Sequence, residues 1–196
     1  MKIFFIRHGE TTGDVENRYG GIYDDQLSAH GIEQGQELAE ILKNKGIEII
    51  YSSPLIRAIE TAKILAREIN CAIEIEDNLK ERNQYGILSG LEKEEAKEKY
   101  PQLVGLLKDR LNTMQGAESY EDFSQRISQV WEKIISENKF QTICLLSHGG
   151  PLRVLFRDIL KLGEIDRIEN CAFAEFVKDS SEKITLINHS GFTPLF

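Results

Sequence analysis

The sequence predicts an α/β protein, a three-layer α/β/α sandwich whose sheet is mostly parallel with an antiparallel edge. Short apolar strands alternate with helices along most of the chain, and parallel strands require crossover helices of this kind. Two strands close the chain with no helix between them, which indicates antiparallel pairing. The 196 residues, 41% of them hydrophobic, suit a single domain, 1–196, without repeats or linkers.

The first half of the chain is predicted to hold three strands and two helices. The strands are expected at Lys2–Arg7, 47–51 and Ala72–Ile75. A polar, glycine-containing loop follows the first strand, and Ser28 is then a candidate N-cap for a helix ending near Gly46. A second amphipathic helix opens at Ser53-Pro54 and continues to about Ile69.

The second half begins with an irregular segment, 79–116, which we predict to be an insertion that caps one end of the sheet. It carries short helices at 92–100 and after Pro101. Ser119 then opens a long amphipathic helix. A buried strand at Thr142–Ser147 precedes a helix at 150–162. The antiparallel closing strands are expected near 172–178 and 183–188.

Composition excludes several classes of partner and site. The net charge of −8 argues against nucleic acid or an anionic membrane, but not against a small phosphorylated metabolite held by a few focused arginines. No apolar run approaches the roughly 18 residues of a membrane helix, and the start does not resemble a signal peptide. Three widely spaced cysteines indicate reduced thiols in a cytoplasmic protein rather than a disulfide framework or zinc site.

Two histidines stand where strands are predicted to end. Arg7-His8 closes the first strand, and His148 follows the strand Thr142–Ser147 directly. Ligands of open α/β sheets bind beyond the carboxyl ends of the strands, so these side chains are expected to meet there. A cation that holds oxyanions beside a neutral imidazole that attacks phosphorus is an arrangement suited to chemistry on phosphate.

Four ordered stretches resemble the histidine phosphatase superfamily, the family of cofactor-dependent phosphoglycerate mutases and many small-molecule phosphatases. The stretches are Arg7-His8-Gly9-Glu10-Thr11, Ser53-Pro54-Leu55-Ile56-Arg57-Ala58-Ile59-Glu60-Thr61-Ala62, Gly116-Ala117-Glu118-Ser119 and Ser147-His148-Gly149-Gly150. The resemblance extends from residue 1 to about residue 160, and it implies a phosphoglycerate mutase-like fold.

The resemblance also implies a role for particular residues. His8 would be the nucleophile that forms a phosphohistidine, Arg7 and Arg57 would clamp the phosphoryl oxygens, and His148 would be a further donor to phosphate. Glu81 would be the proton donor to the leaving group. Contacts to substrate are expected from Asn17, Arg82, Tyr85 and Gly149. These donors leave no need for a metal or another cofactor.

The chain departs from the family pattern at several positions. Glu81 stands one residue further from Gly86 than the family's acid does, and Asp14 occupies a position where most relatives carry asparagine. Gly20 and Gly150 stand where mutases usually carry a hydroxyl residue and an asparagine. We therefore expect hydrolysis of a small phosphomonoester. Mutase-type phosphoryl transfer and a catalytically silent regulatory protein stay open as alternatives, as does a homodimer.

Overall fold

A computed structural model describes residues 1–195, so that Phe196, the last residue of the expected domain, lies outside the described residues. One sheet of six strands forms the centre, in the order β3-β2-β4-β1-β5-β6. The strands are β1 Lys2–Arg7, β2 Ile49–Ser52, β3 Ala72–Ile75, β4 Thr142–Ser147, β5 Glu164–Lys178 and β6 Ile184–Leu195. Pairings among β1 to β4 are parallel, whereas β5 pairs antiparallel with both β1 and β6. The predicted fold class is confirmed.

Helices cover both faces of this sheet. The α-helices are α1 Thr12–Val15, α2 Ala29–Leu42, α3 Ile56–Ile69, α4 Lys93–Lys99, α5 Pro101–Leu106, α6 Tyr120–Glu137 and α7 Gly149–Val154. Two of the predicted caps are confirmed, because Ser28 accepts a hydrogen bond from the Gly31 amide and Ser119 from the Asp122 amide. Each bond satisfies an amide that the first helical turn leaves without a partner.

Alternate residues of the inner strands pack into two separate hydrophobic cores, one on each face of the sheet. On β1, Phe4 and Ile6 pack with α2 and α3, whereas Ile3 and Phe5 pack on the other face with α6 and α7. The period of two along a strand produces this division, because successive side chains point to opposite faces of the sheet. Fully buried side chains on both faces therefore hold β1 and β4 rigidly beneath the edge where they end.

Three predicted elements after β4 have different bounds in the structure. The helix expected at 150–162 is an α-helix only over Gly149–Val154 and continues as a π-helix over Leu155–Ile159. The first closing strand begins earlier than predicted, at Glu164, and ends as predicted at Lys178, whereas the second covers Ile184–Leu195 and therefore ends later than predicted. Shifts in the pairing register of β5 interrupt the alternation that would have revealed its first half.

Segment 79–116 is built from short pieces around a small apolar cluster of its own. Leu88, Ala96 and Met114 are buried there, packed against partly buried neighbours that include Leu103 and Leu107. This segment contributes no strand to the sheet. Within residues 1–195, no helix combines the length and the apolar character needed to cross a membrane.

Candidate active site

Strand register brings the two histidines together. Arg7 on β1 pairs with Ser147 on β4 in parallel register, so the next residues, His8 and His148, leave the same edge side by side. The His8 amide donates to the Ser147 carbonyl at 3.2 Å, and the two imidazole centroids are 5.0 Å apart. The expected meeting of the two histidines at a strand edge is thus present.

Arg57 reaches this edge from the third parallel strand. The pairing of Ser52 with Leu146 ends β2 beside β4, and α3 begins four residues later with Arg57 in its first turn. Arg57 is only 3% exposed. Its two terminal nitrogens donate to three oxygens, the carbonyls of Gly21 (2.7 Å) and Tyr23 (2.6 Å) and the carboxylate of Asp25 (3.0 Å).

The hydrogen bonds of His8 define which ring nitrogen carries the proton and which carries the lone pair. Nδ1 lies 2.7 Å from the Gly9 carbonyl oxygen, which can only accept, so we assign the ring proton to Nδ1. Nε2 then carries the lone pair, consistent with its 3.1 Å contact to the Nε–H group of Arg57. Burial, followed by the charges of Arg57 and Arg7, holds the pKa of His8 well below 6.5 and keeps the ring neutral near pH 7.

His148 is buried behind His8. Its Nε2 shares a 2.7 Å hydrogen bond with the Ser53 hydroxyl, whereas its buried Nδ1 has no partner in the described part of the chain. Burial and the neighbouring Arg57 charge hold its pKa well below 6.5 as well. The ring contacts His8 but does not line the cavity described next, so donation from His148 to phosphate stays a prediction.

A polar cavity of about 190 Å³ opens in front of these groups. Arg7, His8, Arg57 and Glu81 all line it, together with Tyr85 and Gly149. Arg7 is anchored by a hydrogen bond from its guanidinium to the Ile168 carbonyl of β5. The nucleophile, two cations and a carboxylate, which come from three separate chain segments, therefore face one small space.

Glu81 is held by two backbone amides. One carboxylate oxygen accepts from the Arg82 amide at 2.8 Å and the other from the Gly150 amide at 2.9 Å. A Cβ atom at residue 150 would lie 2.1 Å from Oε1 of Glu81. A glycine at this position therefore leaves the space that the carboxylate occupies, which links the departure at Gly150 to the displaced position of Glu81.

The other predicted substrate contacts fall into different places. Arg82 lines an adjoining cavity rather than this one. Asn17 is exposed, has a left-handed backbone with φ of 53°, and is outside the set of residues that line the cavity. Its predicted contact with substrate therefore has no support from the cavity geometry.

Asp14 has a structural role that the sequence did not indicate. It forms a capping box at the start of α1, in which its carboxylate accepts from the Thr11 amide at 3.1 Å and the Thr11 hydroxyl accepts from the Asp14 amide at 3.0 Å. The same carboxylate accepts from Asn170 at 3.2 Å, and Asp14 also lines the cavity.

Sequence reasoning missed two polar residues that position the site. Asp25 is buried, pairs with Arg57 and accepts from the Gly13 amide at 3.0 Å. Its position in a polar loop gave no signal. Ser53, the partner of His148, begins one of the four quoted stretches, so a signal for it was present. No group of three or more acidic, histidine or cysteine side chains able to hold a metal ion exists in residues 1–195.

Comparison with known families agrees with this geometry. The model of the histidine phosphatase superfamily (branch 1) matches residues 3–188. The chain belongs to this superfamily. The predicted resemblance is therefore confirmed over nearly the whole chain.

Its relatives include both phosphatases and mutases. A bifunctional protein of Mycobacterium tuberculosis is 30% identical over 97% of this chain, which spans only 54% of that protein, about half its length. Phosphoserine phosphatase 1 of Hydrogenobacter thermophilus is 32% identical, covering 82% of this chain and 76% of the relative. A 2,3-bisphosphoglycerate-dependent phosphoglycerate mutase of Cytophaga hutchinsonii is 30% identical, covering 94% and 90%.

Solved structures support the fold. The vanadate complex of a mycobacterial glucosyl-3-phosphoglycerate phosphatase superposes with a TM-score of 0.81 over 94% of this chain and 96% of the other, at 23% identity.

Proposed function

We propose that this chain hydrolyses a small phosphomonoester through a phosphohistidine on Nε2 of His8. The observation that carries the proposal is the state of that imidazole: neutral, protonated on Nδ1, and lining a cavity with two guanidiniums. A neutral ring is needed because a protonated nitrogen has no lone pair for phosphorus. Hydrolases among the relatives support the same reaction class.

The first step transfers the phosphoryl group from substrate to enzyme. Nε2 of His8 forms a bond to phosphorus while the bond from phosphorus to the ester oxygen breaks, and Glu81 gives its proton to that oxygen. Arg7 and Arg57 donate to the equatorial phosphoryl oxygens, where negative charge accumulates in the transition state. The Nε–H group of Arg57 transfers its hydrogen bond from Nε2 of His8 to one of these oxygens, which releases the lone pair for the attack. His148 adds a neutral ring beside the nucleophile, so the pair does not carry two positive charges.

The second step regenerates the enzyme. The carboxylate of Glu81 takes a proton from water, whose oxygen attacks phosphorus as the bond to His8 Nε2 breaks. Inorganic phosphate leaves, and His8 returns to the neutral form. No step requires a metal ion, because arginine side chains supply the positive charge.

Phosphate release from p-nitrophenyl phosphate, measured beside isomerisation of 3-phosphoglycerate, tests the proposal. We expect release that is lost in His8→Ala, since the nucleophile is gone, and no isomerisation of comparable rate. Isomerisation that far exceeds release would favour the mutase alternative, which the mutases among the relatives support. Absence of both activities would favour a silent regulatory protein. A cytoplasmic location and a homodimer stay predictions from the sequence.

A further inference from the structure

A second cavity adjoins the one that contains His8. It encloses about 290 Å³ and shares four lining residues with the first, namely Arg7, Glu81, Gln84 and Gly149. Glu81, the proposed proton donor to the ester oxygen, therefore lies at the junction. When the ester oxygen lies beside Glu81, the rest of the leaving group extends into the second cavity.

Arginines line this second cavity from segments far apart in the chain. Arg82 and Arg110 belong to the segment 79–116, and Arg153 and Arg157 belong to the helix that follows His148. The only acidic residue among its lining residues is Glu81. We define these four arginines, together with the space they enclose, as the arginine chamber.

The positive charge of the chamber is only partly compensated. Arg157 forms ion pairs with two carboxylates, those of Glu164 at 2.8 Å and Asp158 at 3.2 Å. In contrast, Arg82, Arg110 and Arg153 have no carboxylate partner within 4.0 Å among residues 1–195. Arg82 and Arg153 donate instead to backbone carbonyls, those of Glu118 and Arg110 for the former and of Ile165 and Asp166 for the latter.

Two details indicate that the chamber is built to receive an anion. Arg82 is only 4% exposed, and its buried Nη2 atom has no hydrogen-bond partner among the described residues. Desolvating a cation in this way costs free energy that a bound anion would recover. The ring of Tyr120 also lies 5.1–5.6 Å from the guanidinium carbons of Arg82, Arg110 and Arg157, which gathers these cations on one aromatic side chain.

We propose that the substrate carries a second anionic group, a carboxylate or a second phosphate, on the leaving-group side, and that the arginine chamber binds it. The proposal rests on the hydrolysis of phosphomonoesters proposed above. The chamber adds a requirement on the substrate: beyond its ester oxygen the leaving group must present negative charge. The chain as a whole carries a net charge of −8 and therefore does not attract anions in general. The local concentration of cations attracts an anionic group at this one place and so selects substrates that carry one.

A series of substrates measures this preference directly. We would compare ω-carboxyalkyl phosphates of increasing length with the ω-hydroxyalkyl phosphates of the same length, and with the bisphosphates of the same diols. For at least one length, kcat/KM should be about tenfold or more higher for the substrate with the second anionic group, since a charge-assisted hydrogen bond contributes roughly that factor. The carboxylate and bisphosphate arms distinguish the two kinds of anion.

The variant Arg110→Met tests whether the arginine chamber causes the preference for a second anionic group. Arg110 is exposed and its side chain donates no hydrogen bond to another described residue, and methionine retains an apolar stem against Tyr120. Lys108→Met is the matched control, because it removes one positive charge from the same exposed segment outside the chamber. We expect Arg110→Met to reduce the ratio of kcat/KM between anionic and hydroxyl substrates about tenfold, and Lys108→Met to leave the ratio unchanged.

Each outcome separates this inference from the proposed function. His8-dependent hydrolysis of all esters at equal kcat/KM would overturn the inference and leave the proposed function standing. If the preference survived in Arg110→Met, or fell equally in Lys108→Met, its cause would lie on another part of the surface. Either result would also overturn the inference. If no ester in any series were hydrolysed by a His8-dependent reaction, both proposals would fail.

Discussion

The sheet edge and the capping segment contribute to the same cavity but are built differently. At the sheet edge, His8, His148 and Arg57 are buried, and strand register or buried hydrogen bonds fix each one. In the segment 79–116, Glu81 is half-buried, held by two backbone amides, and Arg110 is exposed. The segment packs around a small cluster of its own rather than in the main cores.

This difference indicates a division of labour. Groups that must act on any phosphoryl group are attached to the rigid ends of parallel strands, where a displacement would require rearranging the whole sheet. Groups that contact the variable part of a substrate lie on a segment that can change without disturbing the core. Relatives with phosphatase and mutase names are consistent with such a scaffold.

Removing the carboxyl group of Glu81 tests whether the capping segment takes part in the chemistry. Glu81→Gln cannot give a proton to an alkoxide, so we expect kcat for an alkyl phosphate to fall about 10²- to 10⁴-fold. The loss in kcat/KM, which reports the transfer to His8 and not the later attack by water, should be much smaller for p-nitrophenyl phosphate than for the alkyl ester, because its leaving group needs little protonation. Steady-state kinetics on both substrates make the measurement, and full turnover of the alkyl ester would eliminate the assignment.

Gly150→Ala tests the contact between the two regions. The added Cβ would meet Oε1 of Glu81 at 2.1 Å, so the carboxylate has to move and its bond from the residue 150 amide is disturbed. We expect about a tenfold loss of kcat on the alkyl ester, smaller than in Glu81→Gln. Gly105→Ala is the control, because its Cβ would have no neighbour within 4 Å. Equal activity of the two variants would contradict the proposed contact.

Acid titration probes the sheet edge. The pKa values of His8 and His148 are held well below the 6.5 of an unfolded chain, first by burial and then by Arg57. Below pH 6.5 the unfolded chain binds protons that the folded protein does not, so the free energy of unfolding falls as pH falls. The contribution of each histidine to this slope is about 0.7 kcal/mol per pH unit at pH 6.5, where the unfolded side chain is half protonated, and approaches about 1.4 kcal/mol per pH unit at lower pH.

Urea unfolding between pH 7.5 and 5.5 measures the slope. His148→Gln should reduce the fall in the free energy of unfolding across this window by about 1.4 kcal/mol, or about 0.7 kcal/mol per pH unit, because one of the two titrating groups is gone. His30→Gln is a suitable control, since His30 is exposed on α2. An unchanged slope in His148→Gln would mean that His148 is not held neutral by the fold.

The smallest effect is expected at Asp14. Asparagine retains an oxygen that can accept from the Thr11 amide, so the cap of α1 survives in Asp14→Asn. The change removes a negative charge from the phosphate cavity, and we expect kcat/KM to be unchanged or to rise a few-fold, roughly as a weakly screened charge would produce. A large loss would show that the carboxylate has a specific task in the reaction.

The sequence predicted the sheet edge far better than the capping segment. Strand ends can be read from apolar runs, and the parallel register of β1 and β4 follows from the fold class, so Arg7, His8 and His148 could be brought together in advance. Asn17 lies outside the first cavity, and Arg82 lines the second. Both positions depend on the path of loop backbones, whose sequences show no periodic pattern of apolar residues. Local pattern does not determine such long-range packing.

The closing strands illustrate the same limit within the sheet. The left-handed backbone of Cys171 and the register shifts in β5 break the period of two, which concealed its first half. On β6, Gly191 and Pro194 resemble strand terminators. They are tolerated because β6 is the edge strand, where an absent amide donor faces no further neighbour.

The central claim is that Nε2 of His8 accepts the phosphoryl group. Rapid quenching in base during turnover of a phosphomonoester, followed by phosphorus and nitrogen NMR of the isolated His8 peptide, identifies the bonded atom. The account predicts a phosphoramidate on Nε2 of His8, stable to base and labile to acid. A phosphoryl group on Nδ1 of His8 or on another side chain would contradict it. So would the absence of any phosphoenzyme together with hydrolysis that persists in His8→Ala.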